Sequence, residues 1–108
     1  SVCTGSFLLH AAGLLSGKKA TTHWASLERM RALGDVEVVE QRFVHDGRVW
    51  SSAGISAGTD MMLAFIASVA SEEAAGKVQF AAEYYPASIK YGGFENHANA
   101  PAYIKGGG

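Results

Sequence analysis

The chain has 108 residues, 48% of them apolar, with nine basic and ten acidic side chains and a net charge of −1. This is the composition of one folded domain at most, and so small a net charge gives no field for gathering nucleic acid or anionic lipid. The single cysteine excludes an internal disulfide framework and a multi-cysteine zinc site, and no uncharged run is long enough to span a bilayer.

The opening "SVCTGSFLLHAAGLL" places apolar residues at Phe7, Leu8, Ala11, Ala12, Leu14 and Leu15, which predicts a helix from Thr4 to Leu15 stopped by Gly17. "KKATTH" then reads as a short strand, and "ASLERMRALG" as a helix closed by Gly34. "VEVVE" and "RFVHDGRVWSS" read as strands, with Asp46-Gly47 as a tight hairpin turn. "AGISAG" reads as a glycine-bearing loop leading into an apolar helix, "TDMMLAFIASVA". Asp60 is expected to favour the positive end of that helix, and Met61 and Met62 to pack in the core. "SEEAAGKVQFAAEYY" is a further helix, with Ser71 as N-cap, Glu72 and Glu73 in its first turn, and Pro86 as the stop. Glu83, Tyr84 and Tyr85 would close it. Residues 87–108 carry Gly, Asn and Pro without a period and read as a mostly irregular tail, frayed at Gly106–Gly108. Strands alternating with helices give an α/β fold.

Cys3 is the candidate for chemistry. A cysteine at the tip of a strand-to-helix bend points its sulfur at free backbone N–H groups, which together with the helix dipole favour the thiolate. The same N–H groups can receive negative charge that develops when the sulfur attacks a carbon. Gly5 keeps side-chain bulk away from the bend. The pattern is the thiol form of the nucleophile elbow, with Ser1 where the first glycine would stand. Two other readings stay open here: a small cysteine buried under a helix, and Ser1 as an N-terminal nucleophile.

Three ordered blocks carry a resemblance: "SVCTGSFLLHAAGLLSGKKATTHW", "DGRVWSSAGISAGTDMMLAFIA" and "AAEYYP". Over residues 1–86 the chain resembles the ThiJ/PfpI superfamily of class I glutamine-amidotransferase-like proteins, nearest its isocyanide-hydratase-like branch. The resemblance implies a flavodoxin-like three-layer α/β sandwich with a parallel sheet, a homodimer, a small-molecule substrate and no cofactor, while the lone thiol suits a reducing compartment, with the cytoplasm as the expected location. It matches Cys3 to the nucleophile, Thr4 to the residue whose N–H helps form the oxyanion hole, and His23 to a histidine near the cysteine. Gly5, Trp24, Gly54, Ile55 and Ser56 are expected around the substrate pocket.

The family's domain is nearly twice this length, so residues 1–86 are expected to be the C-terminal part of one. Ser1 and Val2 are too few to form the strand before the elbow, and the acidic catalytic partner would lie outside this chain. The implied activity is that of a cysteine-dependent hydratase or hydrolase. A ligand-sensing domain of a transcriptional regulator, or an inactive fragment, is the alternative.

The remaining candidates have plainer accounts. His10, His45 and His97 are scattered and lack metal-ligand spacing. His10 fits a polar helix edge and His45 the hairpin. Trp50 fits packing. No phosphate-cradling glycine motif is present, and no basic stripe interleaved with aromatics suggests nucleic acid.

Overall fold

The computed structural model describes residues 1–105, so the expectation for Gly106–Gly108 lies outside the described residues. Strands and helices alternate as the sequence predicts. After a 3-10 turn at Cys3–Gly5 come α1 (Ser6–Ala11), β1 (Lys19–Ala20), α2 (Leu27–Arg31), β2 (Glu37–Val38), β3 (Phe43–Asp46) and β4 (Val49–Ser52). The long helix α3 (Ile55–Val69), α4 (Glu72–Ala81) and the short α5 (Ala102–Lys105) follow.

The strands form two small sheets. β1 and β2 run parallel, in register Lys19 with Glu37 and Ala20 with Val38. α2 lies between them in sequence, making a small βαβ unit. β3 and β4 form an antiparallel hairpin in register from Phe43–Ser52 to Asp46–Val49. Gly47 opens its two-residue turn at φ 61°, a conformation that costs a residue without a Cβ little. These are the pieces of an incomplete flavodoxin-like sheet.

One bridge joins the chain's beginning to the hairpin. Val2 pairs with Ser52 in the parallel sense, the Ser52 N–H donates to the Ser1 carbonyl at 2.9 Å, and the Ser1 nitrogen donates to the Trp50 carbonyl at 2.6 Å. Ser1 and Val2 thus form an isolated bridge and not a strand, in line with the sequence expectation. Backbone pairing with an existing strand supplies the order that their shortness cannot.

Several boundaries differ from the periodic pattern, each for a local reason. α1 ends at Ala11 because Gly13, at φ 79°, forms a Schellman cap. Its N–H donates to the His10 carbonyl at 2.9 Å, and that of Leu14 to Leu9 at 3.0 Å. Leu15 then enters the core as a turn residue. α4 ends at Ala81 in the same way, with Glu83 at φ 54°, its N–H on the Phe80 carbonyl at 3.0 Å, and the Tyr84 N–H on the Gln79 carbonyl at 2.9 Å. Tyr84 and Tyr85 thus lie beyond the helix. α3 begins four residues earlier than expected, so "AGISAG" is mostly helix, with Gly54 as its N-cap. The Ser71 cap holds as expected, its hydroxyl accepting from the Ala74 N–H at 3.0 Å.

Leu15, Ala20 and Met30 form a buried core cluster, covered by Phe7, Leu9, Leu33, Val36, Val38 and Val49. Burying a side chain the size of Leu or Met contributes about 2 kcal/mol. Arg29 lies over the Phe7 ring at 4.2 Å, tying α2 to α1. The Cα envelope measures 40 × 37 × 18 Å, too thin to hide every apolar group. Met61 is buried, whereas Met62, one residue on, turns to solvent, contrary to expectation. Among the described residues no helix is long and apolar enough to cross a membrane.

Candidate functional site

Cys3 stands where the backbone leaves the Val2 bridge and enters the 3-10 turn. Val2 is extended, at φ −126° and ψ 136°, and Cys3 lies in the left-handed region at φ 55°. An L-residue there places its Cβ close to backbone, at a cost of about 1–2 kcal/mol. Such strain persists only where neighbouring structure enforces it.

The enforcing contacts converge on the Cys3 carbonyl. The Thr22 hydroxyl donates to it at 3.0 Å and the Ser6 hydroxyl reaches it at 3.3 Å. The two hydroxyls also lie 3.0 Å apart, both residues being fully buried. The bend is thus locked from α1 and from the segment after β1 at once. Sequence reading passed over both residues. The only local signal was a small hydroxyl residue three positions after the cysteine.

Cys3 is half-buried as a residue, and its thiol is unbridged. The Gly5 N–H donates to the Val2 carbonyl at 3.0 Å, and the Ser6 N–H to the Cys3 carbonyl. Helix geometry leaves the donors ahead of these without intrahelical acceptors, and Thr4 is among them.

A second close approach supports the bend. Gly58, buried on α3, faces Val2. A Cβ at that position would meet the Val2 methyls at 2.9 and 3.0 Å. Glycine at 58 therefore lets α3 lie against the residue just before Cys3.

His23 caps the 3-10 turn Trp24–Ser26, its Nδ1 accepting the Ala25 N–H at 3.1 Å. In the neutral ring that leaves the proton on Nε2. The ring lies beside Gly54, where an added Cβ would be 3.8 Å from His23 Cδ2. His23 follows Thr22 directly and is joined to the bend through it.

The other expected pocket residues separate. Ile55 and Ser56 sit in the first turn of α3 and point outward, Ile55 being 83% exposed. Trp24 lines a different space, a cavity of about 530 Å³ lined also by residues of the tail. Cys3, Thr4, His23 and Gly54 are not among the residues lining it.

Asp60 does not cap α3, because the helix begins at Ile55. Its Oδ2 accepts from Arg42 Nε at 2.9 Å and Nη2 at 2.5 Å, and its Oδ1 accepts the Tyr84 hydroxyl at 2.8 Å. That hydrogen bond, then burial and the carboxylate's charge, hold the Tyr84 phenol above its ordinary value. Elsewhere, His45 stacks on Trp50 at 3.8 Å, and Phe65 meets Trp50 edge-on at 5.4 Å. His10 bonds Asp35 at 2.8 Å, which lowers the Asp35 carboxyl below its usual range. Among the described residues no group of three or more His, Cys, Asp or Glu side chains is gathered to hold a metal ion.

Comparison with known proteins points the same way as the bend. The model of the DJ-1/PfpI family matches residues 1–68. The chain is 46% identical over 87 residues to an isonitrile hydratase of Pseudomonas putida, covering 81% of this chain and 38% of that protein. It is 40% identical over 65 residues to the HTH-type transcriptional regulator CdhR of Pseudomonas aeruginosa, covering 59% of this chain and 19% of that one. The crystal structure of a ThiJ/PfpI family protein from Pseudomonas syringae superposes with a TM-score of 0.78 at 36% identity, covering 98% of this chain and 43% of that one. The chain thus spans less than half the length of each of these relatives.

Proposed function

We propose, from the premise that this chain belongs to the DJ-1/PfpI family, that it carries the thiol of a hydratase-like site acting on a small organic electrophile. An isocyanide is the substrate class suggested by the name of the Pseudomonas putida relative. The observation that carries the reading is the left-handed backbone of Cys3, with its carbonyl gripped by Thr22 and Ser6. Strain of this kind collects where geometry serves a task.

In this reading residues 1–86 are the C-terminal part of the domain. The Cys3 thiolate adds to the electrophilic carbon, forming a C–S bond. The Thr4 N–H faces the negative charge that develops. His23 lines the approach, with its Nε2 proton available to orient the substrate. A carboxylate carried outside this chain moves the proton, and water then releases the product and restores the thiol.

Two measurements test it. Product release from a panel of isocyanides is followed for wild type and Cys3→Ala, and mass spectrometry of the trapped protein reads whether the carbon attaches at Cys3. Turnover or an adduct that vanishes in Cys3→Ala is expected. Equal turnover in both proteins overturns the reading, as does the absence of both turnover and adduct.

The likeness to CdhR favours a second reading, a ligand-sensing domain of a regulator. There the same bend binds a small molecule without turning it over, and Cys3→Ala retains binding.

A further inference from the structure

The cavity lined by the tail takes no part in the proposed chemistry, yet it is concave and walled by aromatic rings. Its volume of about 530 Å³ falls within the range of about 300–1,000 Å³ found for small-molecule sites. Trp24, Tyr91, Phe94 and Tyr103 supply aromatic walls from three separate stretches of chain. Gly92 and Gly93, at φ 73° and 72°, turn the tail back so that Phe94 can reach the cavity.

The aromatic surface is not used up by internal packing. Tyr91 is 80% exposed and Phe94 74% exposed, although both border a concave apolar space. His23 approaches Trp24 at 5.6 Å with a tilt of 37° and His97 at 6.0 Å with a tilt of 54°, so neither ring lies stacked flat on the indole. Burial, and after it the negative charge of Glu40, raise the Tyr103 phenol above its ordinary value against the lowering charge of Arg42.

The charges at the rim decide what kind of ligand fits. Arg42 is already neutralised by Asp60 through two hydrogen bonds. Lys90 reaches the Ile104 carbonyl at 3.4 Å, and Glu95 borders the same cavity with the opposite sign. The lining therefore offers no net field for an anion or a cation, while each ring offers a face for stacking.

We propose that this cavity is a second ligand site, separate from Cys3, for a planar aromatic small molecule without net charge, held between Trp24 and the rings of Tyr91, Phe94 and Tyr103.

Indole serves as the probe, with benzoate, benzylamine and cyclohexanol as comparators, titrated into the full 15N-labelled chain. The expected result is saturable movement of the Trp24 side-chain N–H resonance with indole, and at least tenfold weaker binding of each comparator. The Trp50 resonance stays put, because that ring packs against His45 and Phe65 away from the cavity. The double variant Tyr91→Ala with Phe94→Ala removes two exposed rings, so its remaining spectrum should match wild type while indole binds at least tenfold more weakly. Cys3→Ala binds indole as wild type does, which separates this site from the thiol. A Trp24 signal that does not move, equal movement of Trp50, comparators that bind as well as indole, or unchanged affinity in the double variant overturns the proposal.

Discussion

Replacing Cys3 by alanine and by glycine separates the thiol from the backbone that presents it. Both variants lack sulfur, so their difference in stability reports only on φ 55°. At that angle alanine pays about 1–2 kcal/mol that glycine escapes. Against this, glycine gains about 0.5–1 kcal/mol of backbone freedom in the unfolded chain. The net expectation is that Cys3→Gly is more stable than Cys3→Ala by roughly 0.5–1 kcal/mol. For a domain near this size that is about 2–8 °C in Tm. Urea denaturation and calorimetry both read the difference. At an ordinary helix or strand position the sign is reversed, with glycine the weaker residue. Alanine proving equal to or better than glycine would therefore refute the strained bend, and with it the structural ground for assigning chemistry to Cys3.

Other perturbations test the supports of that bend. Thr22→Val keeps the side chain's shape but removes the hydroxyl on the Cys3 carbonyl, at a cost of about 1–2 kcal/mol. Combined with Ser6→Ala, the loss should fall short of the sum, because the two hydroxyls bond each other; strict additivity in denaturant melts would contradict the shared clamp. Gly58→Ala should lower stability by about 1–3 kcal/mol through its collision with Val2. Helix propensity alone predicts a gain of about 1 kcal/mol, so a stabilised variant would rule out the close approach. Tyr84 should titrate above the usual phenol range in an ultraviolet difference titration and move back toward it in Asp60→Asn. Because its folded value is raised, the associated stability is complete below the unfolded value and is lost as pH climbs through the folded one. Titration of Tyr84 at the ordinary value in both proteins would exclude the hydrogen bond.

How much could be read in advance depended on how far each residue lies from its partners. The α/β alternation, the glycine turn of the hairpin and the Ser71 cap were legible because their causes lie within a few neighbouring residues. The bend at Cys3 was legible too, since a strand-to-helix elbow is marked by its own small residues. Helix ends were misread where a nearer signal won: Gly13 stopped α1 before Gly17 could, and Gly54 started α3 ahead of Asp60. The pattern of apolar residues continues past such points, but backbone hydrogen bonding does not.

The amino-acid order by itself thus determined the element types, the family resemblance and the presence of a lone thiol at a helix mouth. Tertiary structure decided what holds that thiol and what surrounds it. Ser6 and Thr22, 16 positions apart, meet at one carbonyl, and Ser1 reaches Trp50 across 49 positions. It also assigned Trp24 to a cavity lined by the tail, away from its neighbour His23's contact with Gly54. Caps and turns are settled by local dihedral and hydrogen-bond energies, which a short stretch carries in full. Contacts between distant segments exist only once the chain has packed, so nothing in either segment alone announces them.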